Sequence, residues 1–418
     1  MGAYSDGTHH DITTQVTWSS SNMVVATVNT SGLAQGLVVG SALITATLGS
    51  ISGNTNLTVT TPAGAINVLP LTVNGALCSP LLSYPNKPCV SVQVCTHNSA
   101  NCQTIDDVLL DTGSYGLRIF SSILTVPLTQ VPSGSGSLAE CAQFGSGSTW
   151  GPVQLADVVL GNEPAVAVPV QVINVAGFAS APGTCTGLMQ TPSDAGFSAI
   201  LGVGLWTQDC PGCATFAAPW YYSCSGSTCS ATAVPLASQV QNPVALLPQD
   251  NNGVIVELPP VPSTGSPSVD GYLVLGIGTR ANNTPSGVTA YPADSYAEFT
   301  TTFQGTSYLS SIIDSGSNGL FFPDPAIPTC GGQEFCPGST QNLVATNTGA
   351  TGSPTGTVSF QIANVLSSGN MVFNDLGFNV EVMPGAFDWG LPFFLGQSVY
   401  VGIQGTASPL GTGPYWAY

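Results

Sequence analysis

At 418 residues the chain exceeds what one ordinary core organises, so two or three domains are expected. Only Lys87, Arg118 and Arg280 are basic, against 21 acidic residues, and the formal net charge of −18 excludes a nucleic-acid partner because such a surface repels phosphate backbones. No apolar stretch approaches membrane-spanning length, and 49 glycines, 32 prolines and short β-branched runs without a 3.6-residue period predict a mostly antiparallel, all-β protein. So few cations can hold few carboxylates ionised by pairing, which predicts better stability in mildly acidic than in alkaline solution.

Residues 1–61 form a compositional unit closed by a Thr-Thr-Pro-Ala-Gly-Ala linker at 60–65. Within it, Val16-Thr17-Trp18-Ser19-Ser20-Ser21-Asn22 leads into a strand at 24–28. Gly32 and Gly36 punctuate the middle, and β-branched runs follow at 42–47 and 56–60. This course resembles the bacterial immunoglobulin-like domain of group 2, which implies a β-sandwich used as a spacer or adhesive module on a cell surface. The strands that usually precede Tyr4-Ser5-Asp6-Gly7-Thr8 are missing, so the sandwich is expected to be truncated. Its open edge would accept a strand from another copy or from a cell-surface partner. His9 and His10 fall in the loop before the first strand and read as solvated residues, not metal ligands.

All 12 cysteines lie beyond this unit, and several have close neighbours: Cys95 with Cys102, Cys224 with Cys229, Cys330 with Cys336. Their even number in a Gly-rich β chain predicts disulfides and an oxidising compartment: extracellular, cell-surface or periplasmic. Cys210-Pro-Gly-Cys213 has the spacing of half a zinc site. It lacks a second such pair and a nearby His, so a disulfide is expected there as well. The opening Met1-Gly-Ala-Tyr-Ser-Asp carries neither the basic start nor the apolar core of a signal peptide, and with disulfides expected it reads as beginning downstream of a leader.

Two segments of the larger part are near copies. Leu109-Leu110-Asp111-Thr112-Gly113-Ser114-Tyr115-Gly116-Leu117 is matched by Ile312-Ile313-Asp314-Ser315-Gly316-Ser317-Asn318-Gly319-Leu320. One such tetrapeptide is a turn like many others. Two copies, each after an apolar pair and before x-Gly-Leu, imply an internal duplication that sets one Asp in each half.

Here the chain resembles the pepsin-like aspartic peptidases. Cys141 to Gly151, with Phe144-Gly145-Ser146-Gly147 at its centre, looks like that family's flap hairpin. Phe197-Ser198-Ala199-Ile200-Leu201-Gly202-Val203-Gly204 resembles the segment threaded behind the first Asp loop, and Trp389-Gly390-Leu391-Pro392 resembles the closing strands. The resemblance implies a bilobal double-β-barrel fold, with a linker and first strand at 62–76 and lobes at 77–242 and 243–418. It also implies that Thr112 and Ser315 brace one Asp loop against the other, and that Ser114 and Ser317 hydrogen-bond the carboxylates from outside. Gly113 and Gly316 let the backbone turn tightly against them. This sequence departs from the family at Phe144, where a Tyr is usual, at Asp388 and at Arg118. Asp388 would perturb the dyad if it lies close, and Arg118 is expected to snorkel from its strand.

Two carboxyl groups within hydrogen-bond reach cannot both ionise, so they share a proton. One can take a proton from water while the other donates to a peptide carbonyl. That chemistry requires no metal, cofactor or covalent intermediate. The resulting expectation is a secreted or surface aspartic endopeptidase, favoured by acid, acting on a polypeptide substrate. The alternative is a catalytically silent surface protein, an adhesin or fibre subunit that uses the same fold as a rigid body. His97 is remote from any nucleophilic Ser, and the one lysine, Lys87, sits in a Pro-rich loop, so serine and Schiff-base chemistries lack support. A glycosidase also uses two carboxylates but does not require the duplicated Asp-[Thr/Ser]-Gly-Ser motif.

Overall fold

A computed structural model describes residues 2–4, 6–23, 25–36, 40–59, 64–79, 84–365 and 369–418. Among them the structure is all-β, with a single four-residue α-helix at Pro192–Ala195 and a few short 3-10 turns. No helix is long and apolar enough to cross a membrane.

The first unit follows its hydrophobic pattern. Thr17–Ser20 pairs with Gly40–Leu48, which pairs in turn with Ile51–Val59 in one antiparallel sheet. A second ribbon joins Ala26–Val28 to Ala34–Gly36. Between the two lies a small buried core that includes Val25, Ala26 and Ala42. Gly32 is required where it stands: its φ is +75°, and a Cβ there would lie 2.8 Å from the Trp18 ring. Ile51–Val59 is an edge strand, largely exposed, with no second partner among the described residues. His9–His10 differ from the loop expectation in forming a two-residue strand against Gly2–Ala3, although both side chains remain exposed. Val24 and linker residues 60–63 lie outside the described residues.

In the larger part, the strand Val68–Val73 pairs with Val269–Leu275 on one side and with Pro88–Thr96 on the other, so it stitches together segments far apart in sequence. From it a long, mostly antiparallel sheet closes into a barrel that ends with Tyr415–Ala417. A separate seven-stranded sheet contains Phe299–Phe303, Thr306–Ile313, Gln341–Thr348 and Thr355–Ile362. Its inner face is filled by aromatics, with Phe322 stacked on Phe387 at 4.7 Å and Phe387 against Trp389 at 4.5 Å.

The duplication seen in sequence is a duplication of topology. Cys102–Asp111 runs parallel to Ala199–Val203, while Tyr115–Phe120 runs antiparallel to that same strand. Thr306–Ile313 and Leu320–Phe321 embrace Asp388–Trp389 in the same way. Each Asp loop is therefore threaded by a third strand. Glycine makes the threading possible: a Cβ on Gly202 would lie 2.4 Å from the Tyr115 nitrogen, and one on Gly390 would lie 2.0 Å from the Gly319 carbonyl.

All the cysteines pair, as Cys78–Cys89, Cys95–Cys102, Cys141–Cys185, Cys210–Cys213, Cys224–Cys229 and Cys330–Cys336. All three basic side chains are also committed. Lys87 is fully buried and donates to Asp107 (2.5 Å), the Gly196 carbonyl (3.0 Å) and the Ser79 carbonyl (3.2 Å), which uses its three N–H groups. Arg118 bridges Glu140 and Asp209, and Arg280 bridges Glu163 and Asp250. Replacing Lys87 by Ala strands the Asp107 charge in the interior and is expected to cost about 3–5 kcal/mol, read as a lowered midpoint in denaturant; a change within error would show the pair to be dispensable.

Candidate active site

The two Asp loops meet tip to tip, held by four reciprocal hydrogen bonds. The Thr112 N–H donates to Ser315 Oγ (3.1 Å), and the Ser315 N–H donates to Thr112 Oγ1 (2.9 Å). Each hydroxyl then donates across to the other loop's strand, Thr112 to the Ile313 carbonyl (2.9 Å) and Ser315 to the Leu110 carbonyl (2.7 Å). Both residues are buried. Each hydroxyl thus accepts one bond and donates one, so the pair of loops is satisfied without water.

This clasp sets the Asp111 and Asp314 carboxyls side by side on the wall of one cleft. The inner oxygen of each carboxyl accepts from its own loop's glycine, Gly113 N–H to Asp111 Oδ1 at 2.8 Å and Gly316 N–H to Asp314 Oδ1 at 2.7 Å. The outer oxygen accepts from the following serine, Ser114 at 2.5 Å and Ser317 at 2.8 Å. Side chains are excluded at both glycines. A Cβ on Gly113 would lie 2.6 Å from the Asp314 carboxyl carbon, and one on Gly316 would lie 2.8 Å from that of Asp111. Burial first, and then the Asp314 charge, push the Asp111 carboxyl well above the usual carboxylate range. Chemically, such a pair can hold one proton between two carboxyls and exchange it with a bound water.

A cleft of about 540 Å³ opens over the pair. The hairpin Gly136–Phe144 and Gly147–Val159 reaches into it, with Phe144, Gly145 and Ser146 on its wall and Gly147 at the start of the return strand. Leu109, Phe197 and Ile200 make the floor beside Asp111 apolar. Arg118 does not snorkel. It is buried, donating to Glu140 through Nε (3.2 Å) and Nη2 (2.7 Å) and to Asp209 (2.8 Å), so charge-assisted bonds to two acids stand in for the solvent it gives up. Its guanidinium lies 5.6 Å from the centre of the Phe144 ring, which ties the base of the hairpin to its tip.

Some cleft residues were not legible in the sequence, Tyr84 among them. Tyr84 packs against the apolar floor, and its hydroxyl donates to the Gly316 carbonyl at 2.9 Å. Two residues on, Asn86 donates to the Asn318 and Phe373 carbonyls. A segment preceding the first motif thus crosses to the second Asp loop. Nothing in the spacing signals it, because Tyr84 lies in a Pro-rich loop far from either motif. Among the described residues, no group of His, Cys, Asp and Glu is arranged to hold a metal ion.

Comparison with known proteins divides the chain where its composition does. Residues 3–59 match the bacterial Ig-like domain (group 2), and this part of the chain is such a domain. Over 59 residues the chain is 61% identical to Ice-binding protein 1 of Shewanella frigidimarina (strain NCIMB 400), a stretch that amounts to 14% of this chain and 7% of that protein. The chain therefore spans less than a tenth of that relative's length. Six disulfides are in keeping with an extracellular setting. Residues 63–418 match the family described as protein of unknown function (DUF3443), and with most of its length inside that match, the chain belongs to this family.

Proposed function

We propose that the larger part is an extracellular hydrolase of the aspartic-peptidase type, built from lobes at 77–242 and 243–418 in a pepsin-like, bilobal arrangement. The observation that carries this reading is the clasped pair of Asp loops, with each carboxyl held by its own glycine N–H and serine hydroxyl. In this reading the pair shares a proton. The ionised partner draws a proton from water, and the protonated partner donates to the carbonyl oxygen of an extended peptide lying under the Phe144 hairpin. Preorganised donors keep the carboxyls in place through the reaction, which is what general acid–base catalysis requires.

A second reading, a silent surface component, has its own support. The Ig-like domain and the local likeness to a protein named for binding ice favour it. So does Tyr84, which occupies part of the cleft with its hydroxyl on the Gly316 carbonyl. Here the exposed edge strand Ile51–Val59 would pair with a strand from another copy or from a surface partner.

Cleavage of a mixed peptide library between pH 3 and 7 separates the two. The hydrolytic reading expects activity that Asp111→Asn and Asp314→Asn each reduce by about 10²-fold or more; an unmodified protein inert across that range would leave the surface role. Thr112→Val removes two bonds of the clasp and leaves the buried Ser315 N–H without an acceptor, a loss of about 1–3 kcal/mol with activity falling alongside. Full stability in that variant, measured by thermal melting, would mean that the loops are held by something else.

A further inference from the structure

The two halves differ at one matched position. On the strand threaded through the first loop, Ile200 stands opposite Leu109; on the strand threaded through the second, Asp388 stands opposite Ile312. An apolar side chain in one half is thus replaced by a carboxyl in the other, and that carboxyl is buried. Its Oδ2 lies 2.6 Å from Ser317 Oγ, the same hydroxyl that lies 2.8 Å from Asp314 Oδ2. In the first half, Ser114 serves Asp111 and no other carboxyl.

A serine hydroxyl has one proton to donate, so it cannot satisfy two carboxylates at once. We propose that Asp388 is protonated in the folded protein, donates its proton to Ser317 Oγ so that Ser317 donates to Asp314, and thereby sets the upper pH limit of the Asp111–Asp314 pair; the last part rests on the hydrolytic reading above. Asp388 Oδ1 supports the assignment, for it is buried with no hydrogen-bond partner, a position tolerable for a neutral acid and costly for an anion. The surrounding charges point the same way. Those acting on Asp388 are acidic, Asp314 at the end of the neighbouring strand and Asp111 across the clasp. The chain's basic side chains are spent elsewhere, Lys87 on Asp107, Arg118 on Glu140 and Asp209, and Arg280 on Glu163 and Asp250. Burial, then the charge of Asp314, push the Asp388 carboxyl well above its ordinary range, against the pull of the Ser317 hydrogen bond.

When Asp388 ionises, the Ser317 proton turns toward the new charge. Asp314 then loses its outer donor and gains a negative neighbour, and the pair no longer holds its shared proton in the productive arrangement. Asp388 is in this sense a positioning residue that acts through Ser317. Because its folded form favours the proton, it stabilises the protein fully below the ordinary carboxylate range. That contribution is lost as pH rises toward its folded value.

Asp388→Asn tests both parts, since the amide keeps a donor for Ser317 and cannot ionise. Thermal melts of the unmodified protein are expected to fall more steeply between pH 4 and 8 than those of the variant. An infrared band of a protonated carboxyl at neutral pH is expected to be lost in the variant. Parallel melting curves with an unchanged band would overturn the assignment whether or not the protein cleaves peptides. If it does cleave them, the alkaline limb of the rate profile is expected to move up by about one pH unit in the variant, roughly tenfold in rate on that limb; an unmoved limb refutes the role in the dyad. If the unmodified protein cleaves nothing, the hydrolytic reading fails and the pH-limit role with it, while the melts still decide the proton. Should the variant not fold, Asp388→Ser is compared with the unmodified protein by the same infrared titration: a neutral-pH carboxyl band that is undiminished, or absent from the unmodified protein, overturns the assignment.

Discussion

The clasp between Thr112 and Ser315 is the constraint on which the rest of the larger part depends. Each loop tip donates an N–H to the other's hydroxyl and a hydroxyl to the other's strand, so neither loop is satisfied without its partner. In a buried setting an unmade bond costs more than a made bond gains, so the two halves meet in this register or leave polar groups stranded. Everything near the cleft is referred to this junction: the glycines that admit the carboxyls, the threading strands that back them, and Tyr84 reaching to the Gly316 carbonyl.

A second economy runs through the molecule, the scarcity of positive charge. With three cations in 418 residues, the chain places each of them in its interior or against buried carboxylates. Lys87 pins the loop before the first motif to the strand that leads into it, and Arg118 pins the hairpin to the first Asp loop. The remaining buried acids have no cation to lean on, so burial pushes carboxyls such as Asp375 and Asp388 up. Such groups favour the folded state in acid, for a different reason from the scarcity of ion pairs: native carboxyls that prefer to stay protonated.

The Ig-like domain and the larger part are built on opposite principles. The former has a core of a few small side chains and leaves one long strand edge open, whereas the latter closes its main sheet into a barrel and staples its loops with disulfides. Open edges recruit partners and closed barrels do not.

What the amino-acid sequence determined by itself was local or repeated: the all-β class, the group 2 Ig-like unit, the presence of disulfides and the duplicated Asp-[Thr/Ser]-Gly-Ser loops with their glycines. Each is written in contiguous residues whose turn chemistry or alternation has a direct physical cause. The reach of Tyr84, the burial of Arg118 between two acids and the sharing of Ser317 by Asp314 and Asp388 were settled only in three dimensions. They join residues tens to hundreds of positions apart, and the sign of each depends on burial, which no local pattern encodes. Asp388 shows the difference most plainly. In the sequence it is an acidic residue before a Trp-Gly pair, whereas in the fold it is a buried carboxyl competing for the one proton of Ser317.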